Sequence, residues 1–452
     1  MNNMNYQEFK SAVIKYAAEN NIKDYELYYS KSEETSVEIF MTEVKGFNSA
    51  NNMGICFRCN VDGQTGYAST ENMTEEEAAS IVVRAIENAK SLESDSPSFI
   101  HTLGDTYATL EKEDVTSPAA SELVDFALDL QKEIYAQDER VIDGTQSIAG
   151  CGTSERAIYN SNGIDLVDNS AVEYCYGYAI VSDGKEMYPG MKIASGKMKD
   201  FEKADIAKEA VKDATDFIGY TSVPSGEYTV VFSNKVMCSL LGCYSSIFSA
   251  EAAQKGLSLL KDKVGEKVAA DIITLTDDPL YKDALEKATF DDEGAATYTK
   301  NVIENGTFTT FLHNLATAVK AGVKTTGNGY KASYAAPVGV NHYSFYINPV
   351  KGSLEDLFEE AGNGIYLTSV EGLHAGANPI TGDFSLSSSG FKIENGKKAG
   401  PIKGITVSGN FVQLLKDISS VGEDLKFNPG ALSAHRCGSP SVLVKGITIA
   451  GE

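Results

Sequence analysis

The chain has 452 residues, 42% of them hydrophobic and 9% aromatic, enough for two or three globular domains with substantial cores. Its 39 lysines and arginines stand against 63 acids, and the resulting net charge of −24 repels phosphate backbones and anionic lipid, which argues against direct nucleic-acid or membrane partners. No apolar run reaches membrane-spanning length, no basic and then apolar leader opens the chain, and the seven cysteines are scattered, so a cytoplasmic protein in a reducing compartment is expected.

The first half reads as one unit written twice. "YQEFKSAVIKYAAEN" (residues 6–20) has helical periodicity, strand runs follow through "TSVEIFMTEVKGFNSA" and "QTGYAST", and a helix opens at the capping box Thr74-x-x-Glu77. Cys56 and Cys59 form a CxxC within a strand run. Residues three apart on a strand point to opposite faces and no second pair accompanies them, so free strand cysteines are expected rather than a metal or redox site. After the polar connector "SLESDSPSFIHTLGD", a helix over 117–136 with Pro118 in its first turn, strands around Asn162-Gly163 and a helix in "FEKADIAKEAVKDATDFI" repeat the order.

From Tyr228 onward the chain turns to short strands and glycine-rich connections. A long helix is expected after "YTVVFSN", N-capped by Asn234, with Val236, Leu240, Cys243 and Ile247 on a buried stripe that runs into Glu251 and Gln254. Further helices are read in "FLHNLATAVKAG", "SLEDLFEEAG" and "NFVQLLKDI". Hairpin signals stand at Asn305-Gly306 and Asn395-Gly396, and "SVLVKGITIAG" is a final strand. No glycine fingerprint of a nucleotide-binding parallel fold is present, so the class is α+β, largely antiparallel. The expected domains are 1–222, with subregions at about 1–100 and 110–222, and 223–452.

Local catalytic motifs are few. There is no GxSxG elbow and no HExxH, and His101, His313, His342, His374 and His435 are far apart, so neither a nucleophilic triad nor a locally built zinc site is indicated. Asp291, Asp292 and Glu293 offer a cation or general-base cluster, but the ordinary expectation is a turn with solvated acids. "GLHAGANPITGDFSLSSSG" is the other candidate. Its glycines let a backbone pass close by, and His374, Gly376, Asn378 and Asp383 are read as a substrate-binding loop or, equally, a structural turn.

"SLLKDKVGEKVAADIITLTDDP", "FDDEGAATYTKNVIENG", "TGNGY", "GLHAGANPITGDFSLSSSGFKIENGK" and "GSPSVLVKGITIAG", in that order, resemble the TldD/PmbA family, also called modulators of DNA gyrase, and "GICFRCNVDGQTGYASTENMT" extends the likeness to the N-terminal half. The branch it resembles is PmbA (TldE). TldD-type relatives carry HExxxH before a Lys-Gly-Thr-Ser-like run. Counting back from Lys255-Gly256-Leu257-Ser258 puts that motif on Leu241, Gly242, Cys243, Tyr244, Ser245 and Ser246, with both histidines and the glutamate gone. Glu251 falls where those relatives have an acid, and Cys437 stands too close to the "GSPS" strand to take over their cysteine ligand. The resemblance therefore implies a pseudoenzyme: no catalytic residue and no metal in this chain, zinc in a TldD-type partner, and unfolded peptide as the shared substrate. The alternatives left open are a stand-alone or homodimeric hydrolase using Asp292, Glu293, His374 or Asp383, and a peptide-binding protein without catalysis.

Overall fold

A computed structural model of the chain describes residues 4–91, 99–110, 116–428 and 434–452; residues 92–98 of the polar connector lie outside the described residues. Helix α1 (Tyr6–Glu19) begins in a capping box between Asn5 and Glu8, and β1 (Tyr25–Phe40), β2 (Glu43–Val61), β3 (Gln64–Thr70) and α2 (Glu75–Ser91) follow. The order then recurs as α3 (Ala120–Gln137), β4 (Gln146–Asn160), β5 (Asp165–Ser182), β6 (Met187–Gly196) and α4 (Lys203–Thr215). Pro118 precedes α3 instead of lying in its first turn.

Both units share one sheet of order β3-β2-β1-β4-β5-β6, so the two first strands meet at its centre. Odd residues of β1, including Leu27, Tyr29, Val37 and Ile39, lie in the clusters beneath the helices, whereas Tyr28 faces the other way with Cys56, Ile158 and Phe290. Cys59 is on the helix side, so the two cysteines of the CxxC are free, buried and on opposite faces, as strand periodicity requires. The repeat is also visible in close packing. A Cβ on Gly66 would lie 1.8 Å from the carbonyl oxygen of Ala85 and 2.6 Å from the nitrogen of Ala89 in α2. One on Gly190 would lie 2.3 Å from the corresponding atoms of Ala210 and Ala214 in α4. Each unit thus seats its second helix on a glycine of its third strand.

The C-terminal half begins with β7 (Gly226–Phe232), α5 (Asn234–Tyr244) and α6 (Ala250–Gln254), followed by β8 (Leu275–Asp278), β9 (Lys300–Glu304), β10 (Thr307–Phe308), α7 (Leu315–Ala321), β11 (Gly329–Tyr330), β12 (Gly339–Val340) and β13 (Ser344–Ile347). Helix α8 (Leu354–Ala361), β14 (Gly364–Glu371), the short α9 (Leu373–Gly376), β15 (Asp383–Glu394), β16 (Lys397–Asn410), α10 (Phe411–Asp417), β17 (Ile418–Val421), β18 (Lys426–Phe427), β19 (Arg436–Ser439) and β20 (Val442–Ala450) complete it. One sheet runs β10-β9-β8-β13-β19-β18. A second runs β16-β15-β14-β7-β20-β17, with pairing of β16 and β20 closing five of its strands into a ring, and β11 and β12 form a small sheet of their own. Apart from β13 with β19 and β7 with β14, the pairs are antiparallel. Both Asn-Gly hairpins form with positive φ at each turn residue (46° and 79°; 52° and 74°).

The long helix expected here is broken. Ser233, not Asn234, caps α5, a single 3₁₀ turn (Ser245–Phe248) follows, and Ser249 caps α6. Val236, Leu240, Leu241, Tyr244 and Ile247 fill the core between the two larger C-terminal sheets. Glu251 leaves that stripe: it is partly exposed in the first turn of α6, where it pairs with Lys255 at 2.6 Å. Among the described residues no helix is long and apolar enough to cross a membrane.

Gly66→Ala and Gly190→Ala are each expected to cost about 1–3 kcal/mol, since the added methyl meets helix backbone that cannot rotate away. Urea unfolding midpoints measure this. Gly63→Ala, with no atom within 4 Å but φ of +82°, should cost about 1 kcal/mol through backbone strain alone.

Candidate functional site

The acidic triplet is not solvated. Asp291, Asp292 and Glu293 are 0%, 5% and 3% exposed, in a loop pressed between the N-terminal sheet and the C-terminal half. The reason is the density of donors around it. Oδ1 of Asp291 accepts the amides of Glu293 (2.9 Å) and Ala295 (3.0 Å), and its Oδ2 accepts that of Gly329 (2.8 Å). Asp292 takes Arg156 (2.7 Å) and the Tyr28 hydroxyl (3.1 Å) on one oxygen and the Lys331 amide (2.7 Å) on the other. Glu293 accepts the Leu315 amide at 2.7 Å and lies 3.6 Å from Arg58, which is itself 2.9 Å from Glu26. Beside them Asp277 binds Lys300 and Asn328, each at 2.9 Å, and the Tyr343 amide at 2.6 Å. With their lone pairs so engaged, these acids are scaffolding rather than bases poised for a substrate. Burial, and for Asp291 the neighbouring Glu293, raises the carboxyls of Asp291 and Glu293 above their ordinary range.

The glycine-rich loop is held by its own atoms. A Cβ on Gly376 would meet the carbonyl oxygen of Ser385 at 2.3 Å, so the close approach there is made by β15. Asn378 accepts the amides of Ile380 (3.0 Å) and Thr381 (3.3 Å), and Asp383 accepts Asn410 at 2.9 Å, which lowers its carboxyl. His374 is exposed on α9. The loop does reach α5: the Tyr244 hydroxyl donates to the Asp383 carbonyl at 2.8 Å, and the Tyr244 ring stacks on Phe411 at 4.6 Å.

On α5 and the turn that follows it, Leu241 is fully buried in the core, while Ser245 and Ser246 line a groove of about 330 Å³ with Ser249, Glu251 and His342. Sequence reading passed over two neighbours. Cys437, which had been set aside, has its sulfur 3.8 Å from where a Cβ of Gly242 would lie and 3.6 Å from Nε2 of His342. The other ring nitrogen of His342 is engaged at 2.8 Å by the Tyr343 carbonyl. Burial raises the Cys437 thiol and lowers His342, so the pair is neutral. A catalytic zinc needs three protein ligands and an open position. The Cys437–His342 pair supplies two donors, and among the described residues no cluster of three forms. The groove does not fit the ion, and no step is derived through it. The pairing of Cys437 with His342 across 95 residues had no local signal, because β13 and β19 become neighbours only in the folded sheet.

The profile of the PmbA/TldA metallopeptidase C-terminal domain matches residues 225–451, that of domain 1 matches 25–89 and that of the central domain 113–217. A Thermotoga maritima structure described as a candidate modulator of a DNA gyrase is 30% identical, covers 99% of this chain and all of its own, and superposes with a TM-score of 0.89. TldE from Thermococcus kodakarensis shares the fold (TM-score 0.88, 23% identity, 98% and 100% covered). The metalloprotease PmbA homolog of Haemophilus influenzae is 24% identical over 89% of this chain and 88% of that protein.

Two outcomes are expected of these groups. Because the folded chain keeps protons on Asp291 and Glu293 that the unfolded chain has released, the pair contributes stability that is full below the ordinary carboxylate range and is lost as pH rises through the raised folded values. Glu293→Gln should flatten that fall in urea midpoints taken from about pH 4 to about pH 8, a window set by the ordinary carboxylate values and neutrality. An unchanged slope would mean Glu293 is ionised in both states. Separately, iodoacetamide should label half-buried Cys243 first and Cys437 only on unfolding, as peptide mass mapping would show.

Proposed function

The chain belongs to the PmbA/TldD metallopeptidase family, and on that premise we propose that it is the noncatalytic subunit of a heteromeric peptidase acting on unfolded peptides, paired with a TldD-type homologue that holds the zinc. The observation that carries the reading is the segment Leu241 to Ser246. Leucine cannot ligate a metal, glycine cannot move a proton, and a serine hydroxyl is a poor zinc ligand, so the residues where relatives keep HExxxH supply no metal-activated water. What persists is the frame around that position: a groove with Ser246, Glu251 and His342, and a glycine-rich loop presenting His374, Asn378 and Asp383.

That frame suits a binding role. An extended peptide offers main-chain donors and acceptors whatever its sequence, and a groove bordered by short strands and hydroxyl groups answers them without reading side chains closely. Gly376 serves by letting α9 sit down on β15, which sets the position of His374 and Asn378. The stand-alone hydrolase finds less support, since Asp292 and Glu293 are committed to buried partners.

Purified alone, the chain should hold far less than one zinc per molecule and leave unfolded casein intact; mixed with the TldD-type homologue from the same source it should give cleavage that a chelator abolishes. Asn378→Ala should lower activity of the mixture modestly, by the loss of about 0.5–1.5 kcal/mol of hydrogen bonding, with the melting temperature of the lone chain as the control for folding. Chelator-insensitive cleavage by the single chain would overturn the reading.

A further inference from the structure

A second cavity, of about 190 Å³, lies at the junction of the N-terminal sheet with the C-terminal half, and nothing so far gives it a role. Tyr28, Arg156 and Asp168 reach it from β1, β4 and β5, and Asp292, Tyr330, Lys331, Tyr343 and His435 from the other side. It would hold about six waters at roughly 30 Å³ each, more than isolated bridging requires. Tyr343 is only 2% exposed, yet its hydroxyl has no hydrogen bond among the described residues; the hydroxyl of half-buried Tyr330 has none among them either. Both hydroxyls face the cavity rather than packed protein, so each is open to donate to or accept from whatever fills it.

The charges say which kind. Arg156 is already spent on Asp292 (2.7 Å), Asp168 (3.3 Å) and the Phe290 carbonyl (3.0 Å), and the Lys331 ammonium donates to the Ala336 carbonyl (2.6 Å) over the ring of Tyr28. Of the lining cations only Lys287 is left without a hydrogen bond or ion pair among the described residues, so an anion would find the two central cations already committed. Four lining carboxylates (Glu155, Asp168, Glu286 and Asp292) face three cations (Arg156, Lys287 and Lys331), a formal excess of one negative charge, and burial lowers His435, which stays neutral; burial also raises the carboxyls of Asp168 and Glu286, so their charged forms are short of a compensating cation. Glu286 takes one donor on each oxygen, Ser170 at 2.5 Å and the Ala434 amide at 3.0 Å, leaving lone pairs on both. Aromatic faces complete the enclosure: His435 stacks on Tyr343 (5.1 Å) and meets Tyr330 edge-on (4.6 Å). Carboxylates with ring faces and free hydroxyl oxygens form a receptor for a compact ammonium.

We propose that this junction cavity binds a primary alkylammonium of the size of a lysine side chain, held by Glu286 and the hydroxyls of Tyr343 and Tyr330. The volume accommodates a four-carbon stem and its ammonium, and one positive charge balances the wall. The site is independent of the peptidase reading and is tested on the lone chain.

Thermal shift and calorimetric titration with n-butylammonium chloride are the measurements, with n-butanol and equimolar sodium chloride as controls. The expected result is a saturable rise in melting temperature with the amine only. Glu286→Gln should weaken it by about tenfold and Tyr343→Phe by about three- to tenfold, with circular dichroism confirming that both variants fold. Competition by a lysine-bearing unfolded peptide, and none by its acetyl-lysine counterpart, would assign the ammonium to a peptide; failure of both to compete while n-butylammonium binds would assign it to a free amine. No saturable shift with n-butylammonium, or an equal one in Glu286→Gln, overturns the proposal and leaves a water-filled junction.

Discussion

Asp292 is the point on which the two halves of the molecule turn. It belongs to a loop of the C-terminal half, yet its partners Tyr28 and Arg156 are strand residues of the N-terminal sheet. Next to it Glu293 faces Arg58 and Glu26 on that sheet, and Asp291 gathers amides from its own half. Ion pairs buried this deeply add little net stability, since removing the charges from water costs about what their attraction returns. They are strict about geometry, however. Arg58 and Arg156 already have acids of their own sheet, Glu26 and Asp168, and a docked surface that adds hydrogen-bond acceptors beside them, as Asp292 and Glu293 do, completes their buried partners.

Much of the rest is arranged around that junction. The sheet presents one face to four helices, and the strands of both repeats are seated by glycines that let α2 and α4 come within backbone contact. Only the opposite face is left for the C-terminal half. On that half, Asp277 ties Lys300, Asn328 and the amide of Tyr343 together, fixing the segment that runs from Asn341 to Phe345. His342 and Tyr343 are consecutive residues of that segment, and they line two different cavities: the groove beside Ser246 and Glu251, and the cavity at the junction. One short stretch of backbone thus forms a wall of both.

What was legible in the sequence is what rests on local rules. Helical periodicity marked α1 and α4, Asn-Gly pairs marked two hairpins, and strand alternation put Cys56 and Cys59 on opposite faces. The break between α5 and α6 was hidden, because Ile247 and Phe248 continue an apolar pattern that a 3₁₀ turn satisfies as well as a helix. The triplet Asp291 to Glu293 looked solvated because its neutralising partners, Arg58 and Arg156, lie more than a hundred residues away and carry no local mark. The encounter of Cys437 with His342 was out of reach for the same reason: it depends on the parallel pairing of β13 with β19.

Closure of the strand ring has a consequence for how the molecule is made. Strand β20 pairs with β7, which opens the C-terminal half, and also with β16 and β17, so the ring has a gap until residues 442–450 exist. The N-terminal sheet contains no strand from beyond Gly196 and has its contacts available as soon as it leaves the ribosome. During synthesis, then, the sheet can assemble early, while β7 waits for β14 on one edge and for β20 on the other. A transcript cut short before β20 would yield a folded N-terminal sheet attached to an open, aggregation-prone remainder, which makes quality control of this chain a matter of its last strand.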